Sequence, residues 1–361
     1  MAEYTKLGDL GEIFIGLTYK PENVSTEGTI VLRSSNIQDG ELDFNDIVRV
    51  NCPVRENLLV KQNDILMCSR NGSAKLVGKC TLLPRMSEPM TFGAFMTIIR
   101  TPYNGYLRYF FDSSAFRNQI KGSATTTINQ ITRKMLDDVQ VPIFDIETQN
   151  QISAQFEKLS MLITLRKEQL AKLDQLVKSR FIELFGDYRV NNKGFECKKG
   201  NELFKFSSGK FLPEEKRLES GIPVYGGNGI AWYTDEPLID FPTVIIGRVG
   251  AQCGNIHAVT TPVWISDNAI YIKEQKTEAY TLEFLIELMR MMNFYQYADF
   301  SGQPKITQKP LETLEYIIPP IELQKKYAAF VEQVDKQKLT IQQSLDKLEV
   351  MKKALMQEYF G

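Results

Sequence analysis

Apolar positions recur at helical spacing along two stretches of the chain. In "QNQISAQFEKLSMLITLRKEQLAKLDQLVKSRFIELFG" (149–186), Leu159, Ile163, Leu170, Leu173, Val177, Phe181 and Leu184 step mostly by three and four, as one face of an α-helix requires. The stretch 322–361 does the same through Tyr327, Val331, Val334, Ile341, Leu345, Leu348, Leu355 and Tyr359. Neither contains Pro, and the first meets Gly only at Gly186, where a C-terminal cap belongs. At 1.5 Å per residue, about 37 residues make a rod of roughly 55 Å. A helix that long with a narrow apolar seam needs a partner of its own kind, and its copy is the nearest candidate, which predicts an antiparallel coiled coil. The alternative is that each helix covers its own domain.

The remaining segments, 1–148 and 187–321, have a different pattern. Short β-rich runs such as "TIVLRSSNI", "NDILMCSRNG", "FMTIIRT", "PTVIIGRVG" and "NAIYIK" are broken by Gly, Asn, Asp and Pro, without the regular strand-helix alternation of a doubly wound sheet. One helix is predicted late in each segment, over "GYLRYFFDSSAFRNQI" and "TLEFLIELMRMMNFYQY". The expected fold class is mixed α/β (α+β): in each segment a twisted, largely antiparallel sheet with helices at one side.

The two halves repeat each other. An offset of 175 aligns 147–186 with 322–361 and makes 11 of 40 positions identical, where chance gives about two or three. Upstream, an offset of 178 places Ile128 on Ile306, Gln130 on Gln308, Leu136 on Leu314 and Pro142 on Pro320. An offset of 192 places "IVLRSSNI" on "IPVYGGNG", and "CSRNG" around Arg70 falls on "IGRVG" around Arg248. The chain is a tandem duplication of a variable unit followed by a long helix.

Composition narrows the function classes. The 361 residues are 43% hydrophobic and 24% charged, ordinary for a globular protein of two or three domains. No apolar run approaches a spanning helix, and "MAEYTKLGDL" lacks a signal-peptide profile, so a cytoplasmic protein without a membrane partner is expected. Five scattered cysteines and a single histidine, His257, disfavour both a disulfide framework and a zinc site. In "GSAKLVGKC" the first Gly of a phosphate loop is misplaced and Cys80 stands where Ser or Thr should hold magnesium. "GGNGIAW" and "GRVGAQCGN" suit turns better than a dinucleotide fingerprint. There is no G-x-S-x-G elbow, His257 has no evident triad, and the tetrapeptide of an amino-methyltransferase is missing. The chain is not expected to be a catalyst.

The ordered double pattern Gly122-Ile128-Leu136-Pro142-Glu147-Gln149 and Gly302-Ile306-Leu314-Pro320-Glu322-Gln324, each followed by a long helix ending "LFG" or "YFG", resembles the specificity subunit of type I restriction-modification enzymes. The openings "KLGDLGEIFIG" and "GNELFKFSSG", with "LRSSNIQDGEL" and "IPVYGGNGIAWYTDEP", are similar to the start of that family's target-recognition domains. The resemblance implies two tandem target-recognition domains (1–148 and 187–321) separated by two long antiparallel coiled-coil helices (149–186 and 322–361), with an internal pseudo-two-fold repeat. It implies a non-catalytic subunit that binds double-stranded DNA, each domain taking one half of a bipartite target while the helices set the spacing and dock two methyltransferase subunits. Restriction/translocase subunits complete such a complex. No cofactor is expected in this chain; S-adenosylmethionine, ATP and magnesium belong to the partner subunits.

Charge is a weak guide to such a role. Segment 1–148 carries 16 Lys/Arg against 17 Asp/Glu, which is poor for counterion-release binding. Between Arg100 and Lys134, however, six basic residues face one acid, Asp112. Candidate DNA contacts in the first unit are Arg33, Asn36, Arg70, Asn71, Lys121, Thr125, Thr126, Thr127 and Asn129. Those in the second are Tyr225, Asn228, Arg248, Gln252, Gln303 and Lys305. Arg suits guanine, Asn or Gln suits adenine, and small hydroxyls suit phosphates. The competing reading is a coiled-coil interaction scaffold whose duplicated α/β modules bind protein, with these residues serving only turns and surface.

Overall fold

The structure, a computed structural model, describes residues 3–38, 40–122 and 130–361. It divides into two compact units, Met1–Lys167 with Gln343–Gly361, and Glu168–Gln342.

In the first unit a four-stranded antiparallel sheet has the order Glu12–Ile15, Met96–Arg100, Ile65–Cys68, Cys80–Leu82. Its central strand Ile65–Cys68 is apolar and buried throughout, because both faces are covered. Ile65 and Met67 enter one core with Ile99, Tyr106 and Phe156, while Leu66 and Cys68 enter another with Ile98 and Phe92. A second sheet joins Met90–Phe92, Thr29–Leu32, Arg49–Val50 and Val24–Ser25, and its first pair is parallel. The expectation of one largely antiparallel sheet therefore gives way to two sheets. The second unit repeats this with Phe204–Ser208, Ala269–Gln275, Thr243–Gly247 and Ile256–Val259 in one sheet. The other holds Gly229–Thr234, Ile222–Gly226 and Trp264–Ile265, with a parallel pair between the last two.

The late helices are interrupted. Asn104–Phe110 is followed by a separate Ser114–Gly122, because the Ser113 hydroxyl accepts the Phe116 N–H at 3.2 Å and starts a new helix, as an N-cap does. Leu282–Met292 ends at Asn293, whose φ of 47° is left-handed, and a short 3₁₀ turn follows.

Each unit is closed by a two-stranded antiparallel ribbon made from its beginning and its end. Glu3–Lys6 pairs with Gln140–Ile143, Glu3 opposite Ile143; Glu196–Lys199 pairs with Glu315–Ile318, Glu196 opposite Ile318. The fastening bonds match in both units. Leu7 N donates to Val139 O and Gly200 N to Leu314 O. The Tyr106 hydroxyl donates to Pro142 O, as the Tyr280 hydroxyl does to Ile317 O. Gln149 Nε2 donates to Phe144 O and Gln324 Nε2 to Pro319 O, so the repeated Gln of "E-x-Q" closes the turn that leads into the long helix.

These equivalences correct the upstream alignment. The offset is 175, not 178: Ile131 corresponds to Ile306 and Leu136 to Leu311, all four buried. Thr132 and Thr307 each occupy the N-cap of the short helix that follows. The identities "IT-K-L" in "ITRKML" and "ITQKPL" carry that register.

The long helices run Ile146–Phe185 and Ile321–Phe360. In the first unit Tyr359 contacts Gln155, Lys352 contacts Ser160 and Arg166 contacts Ser344. In the second, Lys338 pairs with Asp174 at 2.5 Å, Arg180 lies over Phe330, and Tyr327 packs edge-on to Phe181 and Phe185. Within each unit one number falls as the other rises, so the helix segments are antiparallel there. Gly186, with φ of 73°, ends the first helix in a backbone conformation that favours glycine.

Candidate nucleic-acid interface

In the first unit the central strand runs out at Ser69 and Arg70, where three segments are fastened together. Ser69 N and Arg70 N donate to Phe95 O at 2.9 and 3.1 Å, and Ile131 N donates to Ser69 O at 2.8 Å. Arg70 is exposed. Its Nε and Nη2 donate to Gln130 Oε1 at 3.1 and 2.5 Å, and its guanidinium lies 5.7 Å from the centroid of Phe95. Asn71 Nδ2 donates to Ser34 Oγ at 3.3 Å, which brings the Arg33–Asn36 loop alongside. Beyond it lies an open groove of about 780 Å³ lined by Tyr19, Arg33, Ser34, Asp46 and Phe95 among others. Arg33 is tied across it to Asp46 at 2.7 Å.

Asn36 is not on this surface. It is 1% exposed; its Oδ1 accepts Arg33 N, and its Nδ2 donates to the carbonyls of Asp43 and Asp46. Its amide is spent on holding the loop, so the expectation that it reads bases is corrected. Lys121 is exposed in the last turn of Ser114–Gly122. Thr125, Thr126, Thr127 and Asn129 lie outside the described residues.

The second unit builds the same convergence. Arg248 N donates to Asn268 O and Ile306 N to Arg248 O, both at 2.9 Å, while Val249 bridges to Lys305. Arg248 Nη1 donates to Asp267 O. Gly250 N donates to Pro304 O, and an added Cβ at Gly250 would sit 3.5 Å from Gln303 Nε2, so Gln303, Lys305 and Arg248 share one end of the unit. Gln252 Oε1 accepts Asn255 Nδ2. Asn228 is exposed in the two-residue turn between Gly226 and Gly229. This hairpin tip presses on the Arg248 loop: a Cβ at Gly247 would come within 2.6 Å of Gly227 O, so no larger residue fits. Tyr225 is half-buried, its ring 6.0 Å from His257. His257 is half-buried as well, and burial lowers its pKa, partly offset by a backbone hydrogen bond with Gly227.

The basic window is less available than its count suggests. Arg100 makes a bidentate pair with buried Asp64, both bonds 2.7 Å, and lies over Phe14. Arg108 reaches Glu41 at 3.7 Å and Arg133 reaches Asp137 at 3.7 Å. Arg100 therefore serves the fold. Sequence reasoning passed over Phe95 and Asn268. Gln130 and Lys305 immediately precede the repeated "IT", a signal that the 175 offset carries and the 178 offset hides. Among the described residues no group of three His, Cys, Asp or Glu side chains is placed to hold a metal ion, and no helix is long and apolar enough to cross a membrane.

The chain is similar to known proteins. The EcoprrI type I specificity subunit of Escherichia coli is 30% identical over 139 residues, 37% of this chain, and the match spans about a third, 34%, of that relative's length. The putative MjaX type I specificity subunit of Methanocaldococcus jannaschii is 24% identical over 391 residues, covering 98% of this chain and 91% of that protein. The crystal structure of the type I restriction-modification S subunit from M. genitalium superposes with a TM-score of 0.65 at 18% identity, over 100% of this chain and 96% of the other, which shows a shared fold. The sequence profile described as Type I restriction modification DNA specificity domain matches residues 2–175 and 192–350, both halves of the duplication, and the chain belongs to that family.

Proposed function

We propose that this chain is the sequence-specific DNA-recognition subunit of a type I restriction-modification complex, each unit reading one half of a bipartite target. The observation that carries this reading is that the family profile matches twice, on two units whose closing ribbons, polar turns and Arg loops are built by equivalent hydrogen bonds. A protein that says the same thing twice with different surface side chains is suited to a target with two unlike halves. The two long helices form an antiparallel coiled coil with a pseudo-two-fold relation between halves; it spaces the readers and docks two methyltransferase subunits. The chain itself is non-catalytic and works in the cytoplasm. S-adenosylmethionine, ATP and magnesium serve the methyltransferase and restriction/translocase partners. The contacts run through Arg33, Arg70 and Asn71 in one unit and Asn228, Arg248, Gln252, Gln303 and Lys305 in the other, a mixture of donors suited to base edges and phosphates.

Mapping methylated adenines across the host genome with the gene present and deleted tests the proposal. The expected result is one gene-dependent motif of two short sequences separated by a fixed, unread gap. A gene-dependent motif without a gap, or no gene-dependent methylation, overturns it.

A further inference from the structure

The contact between Arg70 and Gln130 restricts which base the first unit can accept, provided that the chain reads DNA as proposed above. The backbone of Arg70 is pinned by Phe95 O and by its bridge to Gln130. Its side chain is held by two hydrogen bonds to Gln130 Oε1 and by the face of Phe95, which is itself 57% exposed. A guanidinium has only donors, so the amide atom facing it must be the carbonyl oxygen; the orientation of the Gln130 amide is fixed by chemistry.

The consequence is a loss of choice. A free glutamine recognises adenine by donating to N7 and accepting from the N6 amino group. Gln130 has its one side-chain acceptor occupied by Arg70. What the pair still offers outward is the Gln130 Nε2 amino group and the unused N–H bonds of Arg70, an edge made only of donors. Guanine presents two acceptors in the major groove, O6 and N7, whereas adenine turns its N6–H₂ toward any reader there. We propose that the Arg70–Gln130 pair, seated on Phe95, is a guanine reader, and that its rejection of adenine comes from the internal consumption of the Gln130 acceptor.

The second unit supports the idea that these positions are the variable ones. The same backbone frame puts Arg248 at the place of Ser69 and Val249 at the place of Arg70, with Asn268 at the place of Phe95 and Lys305 at the place of Gln130. A Val opposite a Lys, with the Arg one residue earlier, is a different set of groups on an equivalent scaffold, so the base read from this position in the other half-site should be set independently.

Two substitutions test this in the full chain assembled with its methyltransferase subunits, with base preference measured by selection from a randomised duplex library. Arg70→Ala frees the Gln130 acceptor and is expected to convert one position of one half-site from guanine toward adenine, leaving the other half unchanged. Gln130→Glu keeps a partner for Arg70 while removing both amide donors, and is expected to reduce guanine discrimination at that same position about 5- to 100-fold. The inference is overturned if both variants weaken all duplexes alike with every base preference intact, which is the behaviour of a phosphate contact, or if the position they alter is not guanine in the parent. A parent complex that selects no bipartite sequence overturns the DNA-reading function itself. Unfolding temperatures equal to the parent's show that a changed preference does not come from a damaged fold.

Discussion

Asn36 and Asn228 occupy matching places in the repeated sequence and do opposite work. Asn228 stands exposed at a hairpin tip, while Asn36 is buried with three hydrogen bonds to backbone groups of its own loop. Each such bond contributes about 1 kcal/mol, and a buried carbonyl left unpaired costs more. Asn36→Ala is therefore expected to destabilise the chain by about 2–4 kcal/mol in urea unfolding. Its effect on binding should be equal across all DNA sequences; a base preference altered at one position would return Asn36 to the reading surface. Arg100 teaches the same lesson with charge: counted as part of a basic window, it is consumed by Asp64. A residue's type gives the chemistry it can do, and only its neighbours decide whether that chemistry faces outward. For this reason Arg70 was legible as a candidate, while the loss of the Gln130 acceptor was not.

At the scale of elements, what was legible depended on length. The 40-residue helices show about eleven turns of one period, enough to outweigh any local ambiguity. The strands of the smaller sheets are two to six residues long, too short to declare a direction, so their parallel pairs could not be foreseen. At the junction the repeated Pro-Ile pairs suggest a register three residues away from the true one, which the burial and capping of "IT-K-L" set. The hairpin tip of the second unit allows a separate test. Its Gly227 is bonded to His257, whose Nε2 is buried with no hydrogen-bond partner among the described residues. Burial lowers the folded pKa below the ordinary 6.5. Above that value the imidazole is neutral whether the chain is folded or not; as pH falls through it, the unfolded chain takes a proton that the folded chain resists, so stability is lost. Carboxylates titrate about two units lower. Between pH 7.5 and 5.5 the thermal midpoint of the parent should fall more steeply than that of His257→Gln, as read by calorimetry; parallel curves would show that this histidine is indifferent to its surroundings.

For the whole molecule, helical periodicity says that each long helix needs a partner but not which residues of that partner it meets. Phe360, next to the last residue of the chain, belongs to the core of the N-terminal unit with Phe110 and Phe156, so segment 1–148 does not close its own core. Both units take a share of both helices, and the division falls after Lys167 in one and after Gln342 in the other. Under the proposed spacer role this fixes how the spacing can be changed. Seven residues inserted after Lys167 alone lengthen one helix and leave its partner short, so the contacts of one unit must slip by two turns or break. Seven inserted after both Lys167 and Gln342 leave every contact within each unit as it is and lengthen both helices by about 10 Å, the rise of about three base pairs. The matched insertion should give a methylation motif with both half-sites unchanged and a gap about three base pairs longer. Modification should be slower, because three base pairs also rotate the half-sites by about a third of a turn about the DNA axis. The single insertion should give no modification. An unchanged gap in the matched variant, or altered bases in either half, would show that the helices do not measure the target.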